Sequence, residues 1–343
     1  MRRTLSSAAV LLAFLACSPL HAETAGTQAM ARGDYVRAVK ELTTAAKAGN
    51  VTAQFELGVA YREGKGVGVD APQAFKWLKQ AADQGQAEAQ FQVGQMLEEG
   101  EGTDKKPEDA VEWYRKAAAQ DYVPALFALG ELYRTGTGVA KDESQAAKLY
   151  RTAADKNNVE SQLALGALYR QGLGVPQNQN EAAVWLRKAA QLGSPEGRYQ
   201  MALLLLGKDP NGMGAAPSRN VAEAMGWIRA AADQNYAPAE YYLGMAHLRG
   251  SDAPYDPMAG VRWLQQAADQ GHPDALHTLG TLYRLGRAVQ QDSVRAYMYL
   301  ILADEQGDES AKSELQGLAQ QTSQGQQQAA QRRADDWRQQ RGL

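Results

Sequence analysis

The fold is decided by a stretch that occurs more than once. Residues 55–85 read FELGVAYREGKGVGVDAPQAFKWLKQAADQG, and residues 127–157 read FALGELYRTGTGVAKDESQAAKLYRTAADKN. Aligning the chain on Ala-x-x-x-Leu-Gly, with relaxed matches, gives seven copies spaced by 36 residues, apart from one interval of 42. A period of this length indicates a stack of similar units, because one unit alone cannot bury its apolar face. The copies are anchored at Ala53, Ala89, Ala125, Ser161, Gly197, Ala239 and Ala275.

Each copy carries the pattern of two helices. Counting from the anchor, offsets 0, +4 and +8 share one face of a first helix, and glycine at +5, such as Gly58, leaves room for another backbone to approach. In the second helix Asp70 stands where an N-cap belongs, and Ala74, Trp77 and Ala81 form a narrow apolar stripe. We therefore predict that the helices pack around one large residue per copy, which is Trp77, Trp113, Leu149, Trp185, Trp227, Trp263 and Tyr299.

The Gly-x-Gly between the two helices resembles a phosphate-binding loop. Such a loop is needed once per nucleotide site, whereas this one recurs in most copies and no P-loop lysine motif accompanies it. Repetition favours a helix stop, at which a residue with positive φ is usually required. We expect this conformation at Gly64, Gly100, Gly136, Gly172, Gly250 and Gly286.

The full pattern, Ala-x-x-x-Leu-Gly-x-x-Tyr-x-x-Gly-x-Gly-Val followed by Ala-x-x-Trp-x-x-x-Ala-Ala, resembles the Sel1-like repeat, a relative of the tetratricopeptide repeat. The resemblance covers residues 53–309. It implies an all-α chain, a right-handed α/α solenoid of about seven 36-residue helix pairs with N- and C-terminal caps. It also implies a concave face that holds a partner, and it implies no chemistry.

The segments outside the seven copies predict caps and one insertion. Residues 23–52 form an N-terminal cap, in which residues 29–49 look like the second helix of an incomplete leading copy. Residues 310–343 form capping helices and a Gln-rich tail that breaks near Ser323 and Gly325, with Ala330, Ala334 and Trp337 facing the stack. The long interval reflects six extra residues near 206–217, read either as a functional loop or as a tolerated surface insertion.

The N-terminus predicts export. Residues 1–22 have a basic start, an apolar run and a small-residue cleavage site before Glu23, which is typical of a signal peptide. A periplasmic protein is therefore expected, with lipidation at Cys17 as the less favoured alternative because Phe14 and Leu15 match a lipobox poorly. No later segment is apolar enough for a transmembrane helix. Removing Arg2 and Arg3 with the leader leaves 34 basic against 39 acidic residues, which argues against nucleic-acid binding.

Residues that carry chemistry are scarce. His247 stands in the tyrosine column and is interpreted as a packing residue, while His272 and His277 do not share a helical face, so no metal site is predicted. Gly-x-Ser-x-Gly, Ser-x-x-Lys and His-Glu-x-x-His do not occur. We expect no cofactor and no enzyme. A β-lactamase-like hydrolase, described for cysteine-rich relatives, is a remote alternative because this chain lacks both the cysteines and a catalytic set.

Partner recognition is predicted on the first helices, where offsets +2, +6 and +9 form a second face, called here the first-helix stripe. The +2 position is regular, which favours packing between copies over recognition, whereas +6 and +9 vary as specificity requires. Arginines at +9 suit carboxylates of a peptide or an acidic polysaccharide, or are solvated helix ends. The candidate residues are Phe55, Arg62, Phe91, Gln95, Phe127, Glu131, Arg134, Arg170, Tyr199, Tyr241, Met245 and Arg284.

These observations lead to a scaffold or adaptor that docks another protein or peptide in the periplasm or cell envelope. The alternative is a scaffold for a cell-envelope polysaccharide or peptidoglycan, used in its export or modification. The two hypotheses differ in whether the arginines of the stripe meet a protein or an acidic sugar.

Overall fold

The computed structural model of the protein describes residues 24–207 and 220–341. In these ranges the chain forms 18 α-helices and no strand. The predicted all-α class is confirmed. The leader 1–22, with Cys17, lies outside the described residues, as does residue range 208–219, which holds most of the predicted insertion.

The chain divides into two compact units. The first unit ends at Asp142 and the second begins at Glu143. Helices of the first unit are α1 (Ala25–Ala31), α2 (Tyr35–Lys47), α3 (Val51–Glu63), α4 (Ala71–Asp83), α5 (Ala87–Glu99), α6 (Pro107–Ala118) and α7 (Val123–Thr135). Helices of the second unit are α8 (Glu143–Asp155), α9 (Val159–Gln171), α10 (Gln179–Gln191), α11 (Pro195–Leu205), α12 (Val221–Ala232), α13 (Ala237–Arg249), α14 (Pro257–Asp269), α15 (Pro273–Leu285), α16 (Ser293–Glu305), α17 (Glu309–Ala319) and α18 (Gln324–Arg341).

Packing within each unit follows one rule. A first helix lies against the second helix of its own copy and against the second helix of the copy before it. In the first unit α5 packs on α6 and α4, and in the second unit α13 packs on α14 and α12. Each first helix therefore joins two neighbouring copies, and the core passes from copy to copy within a unit.

The predicted starts and stops of the helices are found where expected. Asp70 caps α4 by accepting the backbone N–H of Gln73 at 3.0 Å. Gly100 ends α5 with φ of 81°, in the left-handed region. The second glycine of the loop allows a close approach, since a Cβ on Gly102 would lie 2.2 Å from the Ala71 carbonyl oxygen. The loop is a helix stop, as the repetition predicted.

The centre of the core differs from the prediction in one column. The residue that fills each helix pair is at offset +25, one position after the tryptophan column: Leu78, Tyr114, Leu186 and Leu264 are at most 2% exposed. The tryptophan column is less uniformly buried, because Trp113, Trp227 and Trp263 are half-buried whereas Trp77 and Trp185 are 8% and 3% exposed. A step of one residue turns a helical side chain by about 100°, so the tryptophans flank the centre of the core rather than fill it.

The glycine at +5 faces the large residue at +25. A Cβ on Gly58 would lie 2.6 Å from Cγ of Leu78, and one on Gly94 would lie 2.6 Å from the Tyr114 ring. A backbone also approaches this glycine, as predicted, since the backbone nitrogen of Leu78 would lie 3.1 Å from a Cβ on Gly58. The large side chain from the copy's own second helix comes closer still. The pairing of glycine with a large +25 residue sets how closely the two helices pack.

Both ends of the array carry caps. The leading copy is more complete than predicted, because α1 precedes α2 and Gly26 faces Leu42 as Gly58 faces Leu78. At the other end Ala330, Ala334 and Trp337 of α18 are buried in the core that α15 and α16 form, as predicted. The Gln-rich tail breaks between α17 and α18, just before Gln324.

Candidate partner-binding surface

The first-helix stripe of the second unit is continuous from one first helix to the next. In the second unit Nη1 of Arg170 on α9 donates to Oε1 of Gln200 on α11 at 2.8 Å. The rings of Tyr199 on α11 and Tyr242 on α13 lie edge to face, with centroids 6.5 Å apart. Residues of the stripe therefore meet the following first helix, and neighbouring copies present one joined surface.

The regular +2 column packs between copies. Phe91 lies 5.5 Å from the Tyr122 ring, and Tyr241 stacks on His272 with centroids 5.0 Å apart. Tyr122 and His272 each stand at the N-cap of the next first helix. The same contact joins Tyr199 to Tyr236 at 5.7 Å. All +2 residues, including Phe55 and Phe127, are half-buried, so the column supports the stack and leaves part of each ring exposed.

The arginines of the stripe are engaged within the chain. Arg62 binds Glu101 of the next copy through Nε and Nη2, with the shortest distance 2.7 Å. Nε of Arg284 donates to Oε2 of Glu314 at 3.0 Å. Arg134 pairs with Glu131 on the same helix. Arg170 is 8% exposed, and its guanidinium lies between copies. These cations thus contribute to contacts inside the protein.

The variable positions give the two units different surfaces. In the first unit the residues at +6 and +9 are largely polar, as at Gln95 and Glu98. Glu98 accepts a hydrogen bond from the hydroxyl of buried Tyr114 at 2.9 Å. In the second unit the same offsets hold apolar residues on two consecutive copies, which are Leu203, Leu206, Met245 and Leu248. Leu203, Met245 and Leu248 are half-buried, so the second unit presents the more apolar part of the stripe.

Two tyrosines of the second unit lie beside this apolar part. Burial raises the pKa of both Tyr199 and Tyr241. Both phenols therefore stay protonated at neutral pH and remain hydrogen-bond donors. An apolar surface edged by neutral phenols suits a partner that brings apolar side chains and hydrogen-bond acceptors.

A row of buried glutamines, which was not predicted from the sequence, joins neighbouring copies. Gln90 at offset +1 is 5% exposed, and its Nε2 donates to the Ala82 carbonyl at the end of α4. Its Oε1 accepts from Nε2 of Gln120, which follows α6, at 2.8 Å. The arrangement repeats one copy earlier. Nε2 of Gln54 donates to the Ala46 carbonyl at 3.1 Å, and Oε1 of Gln54 accepts from Nε2 of Gln84 at 2.7 Å. The signal in the sequence is glutamine recurring at offsets +1 and +31.

The glutamine row is incomplete at Gln162 in the second unit. Gln162 is fully buried and donates to the Ala154 carbonyl at 3.1 Å, but its Oε1 has no hydrogen-bond partner. The residue that should donate to it, at offset +31, is Leu192, which is 50% exposed. One copy later the row resumes in altered form, where Nη1 of Arg198 donates to the Ala230 carbonyl at 3.0 Å.

A cleft of about 740 Å³ lies where the seventh copy departs from the loop pattern. The second loop glycine of four earlier copies approaches the preceding second helix so closely that a Cβ would meet a carbonyl oxygen at 2.2–2.4 Å. In the seventh copy this residue is Ala288, with φ of 62°. The cleft lies beside this residue and is lined by Met258, Tyr283, Gly286, Ala288, Val289, Gln290, Gln291, Asp292 and Arg295.

His247, which stands in the tyrosine column, packs inside the second unit. His247 is 8% exposed and its Nδ1 lies 3.0 Å from the Pro254 carbonyl oxygen, so its interpretation as a packing residue is confirmed. Residues 24–207 and 220–341 hold no group of three or more acidic, histidine or cysteine side chains placed to bind a metal. Within those ranges no helix combines the length and apolarity needed to cross a membrane.

Comparison with known families assigns the repeats. The Sel1 repeat family matches seven consecutive segments, residues 51–86, 87–122, 123–158, 159–194, 199–236, 237–272 and 273–308. The chain belongs to the Sel1 repeat family. Sel1 repeats mediate protein interactions, and the resemblance drawn from the sequence is confirmed.

A solved structure with the same repeat agrees with this assignment. A Sel1 repeat protein from Oxalobacter formigenes is 29% identical, covers 85% of this chain and 86% of its own, and superposes with a TM-score of 0.70. The protective antigen c5321 of uropathogenic Escherichia coli, which displays an SLR fold, is 26% identical, covering 89% of this chain and 80% of its own with a TM-score of 0.43. No curated protein matches the sequence.

Proposed function

We propose that this Sel1 repeat protein is an exported, non-enzymatic scaffold that docks another protein along the first-helix stripe. The observation that carries the proposal is the surface on α11 and α13, where half-buried tyrosines and apolar residues form a continuous face. The stripe is held by packing and hydrogen bonds between copies, so a partner meets a preformed surface and little conformational entropy is lost on binding.

The two units contribute differently to this proposal. Met245 and Tyr241 of the second unit supply apolar anchors, which provide most of the binding energy in protein interfaces. Gln95 stands at the equivalent position of the first unit and is polar, so that unit's own part of the stripe suits a more polar contact. An acidic polysaccharide would have to displace Glu101 from Arg62 and Glu314 from Arg284, so the geometry favours a protein partner.

A photocrosslinking amino acid at two positions of the second copy tests the docking surface. Gln95 lies on the first helix α5, and Glu112 lies on the second helix α6 with its side chain 62% exposed. We expect a specific protein adduct from position 95 in living cells and none from position 112. An adduct from 112 alone, equal adducts from both positions, or no adduct from either would overturn the proposal.

Export is proposed from the basic start, apolar run and small-residue site in residues 1–22. Cell fractionation of the full chain and of a chain that begins at Glu23 tests it. We expect the full chain in the periplasmic fraction and the shortened chain in the cytoplasm. Cys17→Ser separates the two forms of export, since it leaves processing unchanged in a free periplasmic protein and blocks lipidation in a lipoprotein.

A further inference from the structure

The junction between the last repeat and the C-terminal cap uses a contact that the other junctions lack. At three other junctions the ring of the +2 residue packs on the ring of the N-cap residue of the next first helix, as Tyr241 does on His272. At the last junction the +2 residue is His277 and the N-cap residue is Asp308. Their Nδ1 and Oδ2 atoms lie 2.8 Å apart. The position is the same, but an ionisable pair replaces the aromatic contact.

The other ring nitrogen of His277 faces a second carboxylate. Nε2 lies 3.4 Å from Oε1 of Glu314 on α17. The second oxygen of Glu314 accepts from Nε of Arg284 at 3.0 Å and from the Thr281 hydroxyl at 3.1 Å. The side chains of His277, Asp308 and Glu314 are 23%, 17% and 28% exposed. The imidazole is therefore partly buried between two carboxylates, both carried by the cap.

Both carboxylates are held in place by contacts that do not involve the histidine. Asp308 caps α17 by accepting the backbone N–H groups of Ser310 and Ala311 at 2.8 and 3.0 Å. Burial raises the pKa of Asp308, but the Ala311 N–H and the charge of His277 outweigh it, so its pKa lies below the usual value. Asp308 thus remains ionised at neutral and mildly acidic pH.

The protonation state of His277 decides how well this arrangement is satisfied. A neutral imidazole has one N–H and one lone pair, so it can donate to one carboxylate and must present a lone pair to the other. The imidazolium donates to both. The charged groups that face the ring in the described structure are Asp308 and Glu314 from the cap, with Arg284 of its own helix reaching it through Glu314. No ion pair to His277 comes from α13 or α16 in the described structure.

We propose that the C-terminal cap, residues 308–341, is a pH-sensitive closure of the last repeat, bound more tightly in acid because protonated His277 bridges Asp308 and Glu314. Because the imidazolium donates to both carboxylates of the cap and the neutral ring to only one, protonation and docking favour each other. Opening the cap would uncover the core that Leu318, Ala330 and Trp337 close.

Hydrogen exchange of α17 and α18 in the full chain tests the closure. Protection factors, corrected for the intrinsic dependence of exchange on pH, are compared at pH 5.5 and pH 8. We expect about tenfold greater protection of the cap at pH 5.5, while peptides of α3–α6 in the first unit show no such change. Equal corrected protection of the cap at both pH values would overturn the proposal.

Two variants distinguish the bridge from other titrations. His277→Phe restores the aromatic residue of the +2 column, and Asp308→Asn keeps an N-cap residue while removing its charge. His277→Phe should abolish the pH dependence of cap protection, and Asp308→Asn, which leaves Glu314 beside the ring, should reduce it. Burial lowers the pKa of His272, so its protonation acts in the opposite direction and is the same in all three proteins. A variant pair that retains the wild-type pH dependence would contradict the role of His277.

Discussion

The two units share one packing scheme and differ in the surface that it presents. Phe91 in the first unit and Tyr241 in the second both pack on the N-cap residue of the following first helix. Four positions later the first unit has Gln95 and the second has Met245. The repeated columns therefore determine how the copies stack. The chemistry offered to a partner is set by a few positions that stacking does not constrain.

The largest expected effect comes from breaking the scheme that the units share. Gly94→Val and Gly244→Val each place a side chain where even a Cβ would lie 2.6 and 2.7 Å from Tyr114 and Leu264. We expect a loss of roughly 3 kcal/mol of unfolding free energy in either unit, measured by urea unfolding. Gly226→Ala is the matched control, because a Cβ there has no neighbour within 4 Å. It should stabilise the protein by about 0.5 kcal/mol. Similar results for all three variants would contradict the packing scheme.

The second prediction separates the units by their surfaces. Met245→Glu and Gln95→Glu place the same charge at offset +6 of the two units. We expect Met245→Glu to weaken binding of the crosslinked partner at least tenfold, which is about 1.4 kcal/mol, because it removes an apolar anchor. Gln95→Glu should change affinity much less. Titration calorimetry with the purified partner measures both, and a greater loss at position 95 would show that the first unit carries the anchors.

The glutamine row allows one unit to be made like the other. Gln120→Leu copies the interruption into the first unit by leaving Oε1 of Gln90 without its donor, and we expect a loss of about 2 kcal/mol. Leu192→Gln supplies the missing donor to Gln162 in the second unit and should add about 1 kcal/mol. Urea unfolding of the two variants should show opposite signs. A destabilised Leu192→Gln would mean that the second unit does not follow the arrangement of the first.

The smallest effect concerns the loop of the seventh copy. Ala288→Gly removes a Cβ from a residue held at φ of 62° and introduces the glycine that the first four copies have at this position. Relief of this strain, offset by the greater freedom of glycine in the unfolded chain, should stabilise the protein by about 1 kcal/mol. Thermal unfolding is a sufficient measurement. A lower melting temperature would indicate that the loop needs alanine for another contact.

Sequence analysis predicted the features that periodicity carries. Helix pairs and the glycines that end their first helices, such as Gly100, recur at a fixed spacing, and the cap with Trp337 lies where that spacing ends. A single sequence is therefore enough to predict them. The core column was placed one residue early because adjacent columns, Trp77 and Leu78, are both large and apolar. Periodicity marks a face of a helix, but it does not show which of two neighbouring columns points to its centre.

The polar contacts could not be predicted from one copy. Gln90 looks like a surface residue, and its donor Gln120 lies 30 positions away in the next copy. The partners of the predicted arginines are equally remote in sequence, as Glu314 is from Arg284. Such pairs depend on how copies stack, and a list of variable positions does not contain that information. The assignment of the stripe residues to partner binding remains a prediction.

Hydroxyl-radical footprinting of the purified complex shows whether the partner docks on the first-helix stripe. Met245 and Tyr241 lie on the first-helix stripe, and Met258 and Tyr255 of the same copy, 63% and 71% exposed, lie at the start of the second helix and in the loop before it. Each pair has the same residue types, so intrinsic reactivity cancels. The account predicts that the partner lowers oxidation of Met245 and Tyr241 and leaves Met258 and Tyr255 unchanged. Protection of Met258 and Tyr255, with Met245 and Tyr241 unaffected, would contradict it.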